Sequence, residues 1–221
     1  MKQTGILFIL LFSIILVSLP AYAGLRADGL AIGVRASSLG IDLEATKAIT
    51  NKFTFRFGYN FFTLTQDGEN TDAEVTYTLD AKLNSMELLL DYYPWGKSFH
   101  LTGGMIMNNN EFEFVATPMN EYIVGTRTFT IEELGSMTGL VTFDGSAPYI
   151  GLGWGNPTLK GKKLGTMFDI GVMLQGAPAV DLTATGMIEP TAGAEEETFN
   201  SSLEGATVWF VVSWGLTFRL F

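Results

Sequence analysis

The chain has no cysteine, one histidine (His100) and only 13 lysines and arginines in 221 residues. Each shortage excludes a chemistry. Without cysteine there is no disulfide framework, no thiolate zinc or iron–sulfur site and no thiol nucleophile, and one imidazole is too few for a histidine-built metal centre. With 23 acids against 13 bases the formal net charge is −10, so the basic surface that grips phosphate backbones is missing and nucleic acid is excluded as a partner. Charge of either sign is sparse, at 16% against about 25% in an ordinary soluble domain, while 47% of residues are apolar and 13% aromatic. That balance suits a chain whose outer surface meets lipid.

Long apolar runs are absent too, except at the start. Met1-Lys2-Gln3 is a short basic opening, Gly5 to Leu19 is apolar, Pro20 breaks the run, and Ala21-Tyr22-Ala23 is a small-x-small cleavage box. Residues 1–23 therefore read as a cleaved secretory signal peptide and 24–221 as one exported domain. A membrane helix needs about 20 mostly apolar residues, and after residue 23 polar residues interrupt every apolar stretch at alternate positions.

What is present instead is period two. Phe53-Thr-Phe-Arg-Phe-Gly-Tyr-Asn-Phe61 puts five aromatics on one face and Thr54, Arg56, Gly58 and Asn60 on the other. Eight such segments can be counted, beginning near Leu30, Ile41, Phe53, Ser85, Phe99, Tyr149, Phe168 and Val208. A soluble barrel would turn the apolar faces inward. Phe53, Phe55, Phe57, Phe61, Trp154, Phe210, Trp214 and Phe218 would overfill an eight-stranded interior, so these faces are expected outside, in lipid. The fold expected is all-β, an eight-stranded antiparallel transmembrane barrel; a β-sandwich is the alternative, and it fits polar faces this charged less well. The inner face then carries Arg35, Arg56 and Arg219 together with Asp42, Glu44, Glu87, Asp91 and Asp169, which low dielectric forces into pairs, a salt-bridged plug.

Charge is sorted along the barrel axis. Short turns near 50–52, 94–98 and 156–163 and their flanks hold Lys47, Lys52, Lys97, Lys160, Lys162 and Lys163. The long connections at 66–80, 111–145 and 178–205 are rich in acids, with Arg127 opposing them. With short turns periplasmic and long loops outside, the external rim is anionic. It can gather cations at a mouth, hold divalent ions that bridge to anionic lipid headgroups, or serve solubility alone.

Three stretches carry a resemblance. Ala147-Pro-Tyr-Ile-Gly-Leu-Gly-Trp154, Phe168-Asp-Ile-Gly-Val-Met-Leu-Gln-Gly-Ala-Pro-Ala-Val180 and Tyr93-Pro-Trp-Gly96 resemble the CarO-type small outer-membrane barrels of Gram-negative bacteria, over most of the chain after residue 23. OmpA-like and OmpW-like barrels share part of this look. The resemblance implies an eight-stranded barrel in the outer membrane, set there by the barrel-insertion machinery among lipids that include lipopolysaccharide. It also implies passage of small solutes, the family being implicated in uptake of basic amino acids such as ornithine. One departure is visible at the C-terminus. The family's terminal signal puts apolar residues at odd positions counted back from the last Phe, yet here those are Arg219, Thr217, Gly215 and Ser213, implying a shifted register for the eighth strand.

Function therefore divides between a narrow channel for small, cationic solutes and a nonconducting barrel acting through its acidic loops. An enzyme is not expected. Hydrolysis needs a base near a nucleophile, and the sole histidine, two residues after Ser98, reads as an ordinary lumen-facing residue. No cofactor or metal site is expected: Gly151-Leu-Gly-Trp-Gly155 is followed by no helix, and Asp67-Gly-Glu-Asn-Thr-Asp72 has calcium-ligand residue types without the twelve-residue loop spacing. Asn200-Ser-Ser202 matches a glycosylation sequon in a setting where that machinery is not expected.

Overall fold

The computed structural model describes residues 28–221 except 73, 144, 188–191 and 204. The expected signal peptide, 1–23, lies outside the described residues. The strands are β1 (Leu30–Ser37), β2 (Gly40–Ala48), β3 (Phe53–Asn70), β4 (Val75–Tyr92), β5 (Phe99–Asn108), β6 (Glu111–Pro118), β7 (Tyr122–Val124), β8 (Arg127–Phe129), β9 (Met137–Thr142), β10 (Ala147–Trp154), β11 (Leu164–Leu174), β12 (Ala179–Ala184) and β13 (Val208–Arg219). Two helices, α1 (Ile131–Leu134) and α2 (Ala192–Leu203), sit in the long connections.

Eight of these strands form a closed antiparallel ring in the order β1-β2-β3-β4-β5-β10-β11-β13, and β13 returns to β1 with Ala31 opposite Arg219 and Ser37 opposite Ser213. They coincide with the eight alternating segments of the sequence. Closure satisfies the backbone without leaving an edge in lipid. The outer belt is apolar and bare: Phe210 is 72% exposed, Leu164 66%, Ile150 63% and Trp214 58%. A belt of this kind in water would be an aggregation surface, and in a bilayer it is the surface of a transmembrane barrel. Within β13 the even-numbered residues face out and the odd-numbered residues Val211, Ser213, Gly215 and Thr217 are buried, the shifted register that the C-terminal pattern implies.

The long connections are not plain loops. Residues 66–80 continue β3 and β4, which pair in one unbroken register from Phe53–Tyr92 to Asn70–Val75. At 18 residues each they are about twice the height of the ring, so an arm of about 30 Å rises beyond it. β6, β9 and β12 add to the β4 side of this arm, and α2 packs on β12. These strands were hidden in the sequence because their alternation is reversed with respect to the ring. Up to Phe61 the outward positions of β3 are aromatic; beyond it the same face carries Thr63, Thr65, Asp67 and Glu69, while Phe62 and Leu64 take the inward side. β4 changes at the same level, with Met86 and Leu88 outward below and Lys82, Asp80 and Thr78 outward above. The reversal marks where the apolar environment ends.

Candidate functional site

The lumen gathers the charged residues. Arg35 on β1 faces Asp42 on β2 directly, and its Nε donates to Asp42 Oδ2 at 2.7 Å. Its terminal nitrogens reach Asp169 Oδ2 at 2.7 Å across the barrel, Glu44 Oε2 at 3.0 Å and Glu87 Oε2 at 3.5 Å. Arg56 on β3 pairs with Asp91 Oδ2 through Nε at 3.0 Å and with Asp169 through both terminal nitrogens at 3.1 and 3.2 Å, with Glu44 at 3.5 Å. Thr54 and Thr102 donate to Asp91, and the Asn60 amide donates to Glu87 Oε1 at 2.7 Å. Arg56 is 1% exposed and Asp91 0%, so these are desolvated pairs in which each carboxylate is held by several donors.

Of the sequence-expected lumen set, Arg35, Asp42, Glu44, Arg56, Glu87, Asp91 and Asp169 come together in this one network. Arg219 does not. It shares the inward parity of β13 but lies four residues, about 13 Å, below Gly215, the residue opposite Arg35. There its guanidinium meets Asp28 Oδ2 at 3.4 Å and the carbonyls of Leu159 and Phe221 at the short-turn end. Position along the strand, not face, separates it from the network, and alternation reads only face.

His100, expected only to face the lumen, is a further member of the network. Its Nε2 lies 2.8 Å from Asp169 Oδ1 and its Nδ1 3.2 Å from the Ser98 carbonyl. Both ring nitrogens thus face acceptor oxygens, one a carboxylate and one a backbone carbonyl. The Ser98 hydroxyl is not its partner; the backbone is, and no nucleophile–base pair forms. The inward parity of His100, shared with Thr102, gives its face but not its partner. Glycines make room for the network: a Cβ on Gly153 would lie 2.5 Å from His100 Nε2 and 2.6 Å from Asp169 Oδ1, and one on Gly58 2.8 Å from Asp42 Oδ1.

Carboxyl groups thus outnumber bases in the network, five against two guanidiniums and one imidazole. Toward the long-loop end three side-chain oxygens in one cross-strand row, Asp42 Oδ1, Asn60 Oδ1 and Ser85 Oγ, have no hydrogen-bond partner in the protein. Beside that row Leu39, Leu89, Ile106, Ala147, Tyr149, Met173 and Val211 form a buried apolar cluster. No group of three or more acidic or histidine side chains with metal-holding geometry occurs among the described residues. The acidic stretch at Asp67–Asp72 is the end of β3 and its turn, with the Asp67 carboxylate accepting from Thr78 across the strand pair.

Two solved structures share this architecture over nearly their whole length. CarO2 of Acinetobacter baumannii superposes with a TM-score of 0.59 at 16% identity, covering 87% of this chain and 98% of its own. The fold is that of CarO. CarO itself, from the same organism, gives a TM-score of 0.57 at 18% identity over 87% of this chain and 97% of its own. No family model and no curated protein matches the sequence. The likeness to CarO thus lies in the barrel, while about five residues in six differ, so the lumen charges of this chain have to be read from its own coordinates.

Proposed function

We propose that this protein is an outer-membrane channel of a Gram-negative bacterium, exported by its signal peptide, and that its narrow lumen passes small cationic solutes. The observation that carries the reading is the surplus of lumen carboxylates over bases within a buried ring. A negative interior lowers the barrier for a cation and raises it for an anion. The CarO-like fold supports the setting, with lipopolysaccharide and phospholipids around the belt and the barrel-insertion machinery as assembly partner. Short turns then face the periplasm, and the arm with its added strands faces outward.

A second reading has its own observation. Arg56, Ile106, Met167 and Met173 are fully buried inside the ring, so side chains fill the lumen as an eight-stranded barrel permits. In that case the barrel is a nonconducting scaffold for its acidic outer surface. Planar-bilayer recording of the refolded protein under a salt gradient separates the two. The channel reading expects discrete cation-selective steps whose selectivity drops in Glu87→Gln and Asp91→Asn; silence at every voltage from a barrel shown folded by heat-modifiable gel mobility overturns it.

A further inference from the structure

The arm leaves one strand edge open, and it is the edge of β3. Pairing between β2 and β3 ends at Ile41–Phe61, whereas β3 runs on to Asn70 bonded only to β4. The other edge of the same sheet is treated differently. On β12 the Asn200 side chain of α2 accepts from Val180 N–H at 3.0 Å and donates to Val180 C=O at 3.1 Å, and Glu196 accepts from Leu182 N–H at 3.2 Å, so helix side chains occupy the places of a further strand. Among the described residues no helix side chains take the place of a strand along residues 62–66, the Gln66 amide donates to the Asp67 C=O at 2.9 Å, and the stretch 62–69 has no proline, no lysine and no bulge, the usual devices for blunting an edge.

The direction of the free groups can be read off. Ile49 and Thr50 N–H donate to Phe53 C=O, whereas Tyr93 N–H donates to Lys52 C=O, so odd-numbered residues of β3 point their backbone toward the β2 side and even-numbered ones toward β4. Above Phe61 the N–H and C=O groups of Thr63, Thr65, Asp67 and Glu69 therefore point away from β4 along the open edge, where the Asp67 C=O takes a bond from the Gln66 side chain. Their side chains line its outer face with two acids, and Phe62 and Leu64, 43% and 50% exposed, line its inner face.

We propose that this edge is a strand-addition site for an extended, basic polypeptide segment. A strand added there places alternate residues opposite Asp67 and Glu69 on one face and opposite Phe62 and Leu64 on the other, so the fitting pattern alternates basic and apolar residues. The acids that favour such a segment repel a second copy of this chain, whose net charge is −10. The proposal builds on the surface-interaction reading, and its test involves no conductance.

The test uses the full refolded protein in detergent and a fluorescent peptide alternating lysine with valine, read by anisotropy. Thr65→Pro removes an N–H that points to the open edge and leaves the β4 ladder intact; Thr65→Ala loses the same side-chain bond to Asp80 but keeps that N–H. Saturable binding is expected for wild type and Thr65→Ala, weaker by about tenfold in Thr65→Pro, and weaker with a shallower salt dependence in Asp67→Asn/Glu69→Gln. If Thr65→Pro does not fold, the same question is put to the wild type with a peptide N-methylated at alternate amides, whose binding should vanish. Equal binding of the methylated peptide, or of a glutamate–valine peptide, overturns the proposal, as do edge-to-edge disulfide dimers of Thr65→Cys, which would show that a second copy takes the site.

Discussion

Arg56 is one of the two guanidiniums that hold the lumen together, pairing with Asp91, Asp169 and Glu44 at 1% exposure. Replacing it by leucine leaves buried carboxylates without their counter-charge, and such losses cost about 3–5 kcal/mol. Arg219→Ala removes a pair with Asp28 that is partly open to solvent, worth at most about 1 kcal/mol. Denaturant unfolding in a lipid environment should rank the two in that order, and equal effects would contradict the placement of Arg219 outside the network. Gly153→Ala is the third change at this scale. Its methyl group would press on the Phe168 carbonyl as well as on His100 and Asp169, and backbone cannot step aside, so a loss of about 1–3 kcal/mol is expected in the same assay. Most of this was legible beforehand, because alternation assigns a face to every strand residue. Depth along the axis is not, so alternation cannot separate Arg219 from Arg35, and a lone lumen-facing imidazole such as His100 has no pattern that ties it to a charge network.

Among the elements, the ring strands were plain in the sequence and the arm was not. Their outward residues must be apolar over the whole height of the bilayer, and that constraint writes a strong signal. Above the bilayer it lapses and then reverses, so Thr63, Thr65 and Asp67 look like loop residues although they pair in perfect register with Lys82, Asp80 and Thr78. Glycine carries part of the arm's packing: Gly139 lies beneath the Phe114 ring and Gly68 beneath Tyr77, positions where a larger residue would displace the aromatic. α2 has a low-contrast sequence, and its value lies in Asn200, a sequon residue whose amide instead holds the edge of β12. Asn200→Ala should speed hydrogen exchange at Val180 and leave the ring amides unchanged. The turn before β9 responds to acid. The Glu133 carboxyl is held below the usual carboxylate range by the Thr130 backbone N–H, with Arg127 adding to it, and Thr130 in return caps α1. A depressed carboxylate contributes stability above its unfolded value and loses it as pH falls through the folded one. Acidification below the ordinary carboxylate range should therefore free the Thr130 amide, seen as a shift and faster exchange of its NMR signal, while Glu133→Gln should show no such step.

For the molecule as a whole, the apolar belt fixes the solvent in which it exists. Refolding by dilution into buffer without lipid or detergent should give aggregate, and dilution into short-chain lipid vesicles should give a species of altered gel mobility before heating; a soluble monomer in plain buffer would be incompatible with a belt in which Phe210 is 72% exposed. The same whole-molecule view gives meaning to the seam between β1 and β13. Neighbouring strands joined by short turns, such as β1–β2 and β10–β11, can pair as soon as both are free to fold. The seam cannot, because Ala31 must wait for Arg219 and Ser37 for Ser213. Throughout synthesis β1 has one flank without its final partner, and closing it carries the largest loop-entropy cost in the ring. The last strand is thus also the latch, and a chain cut short before Val208 would be left as an open sheet that any other unpaired strand could invade.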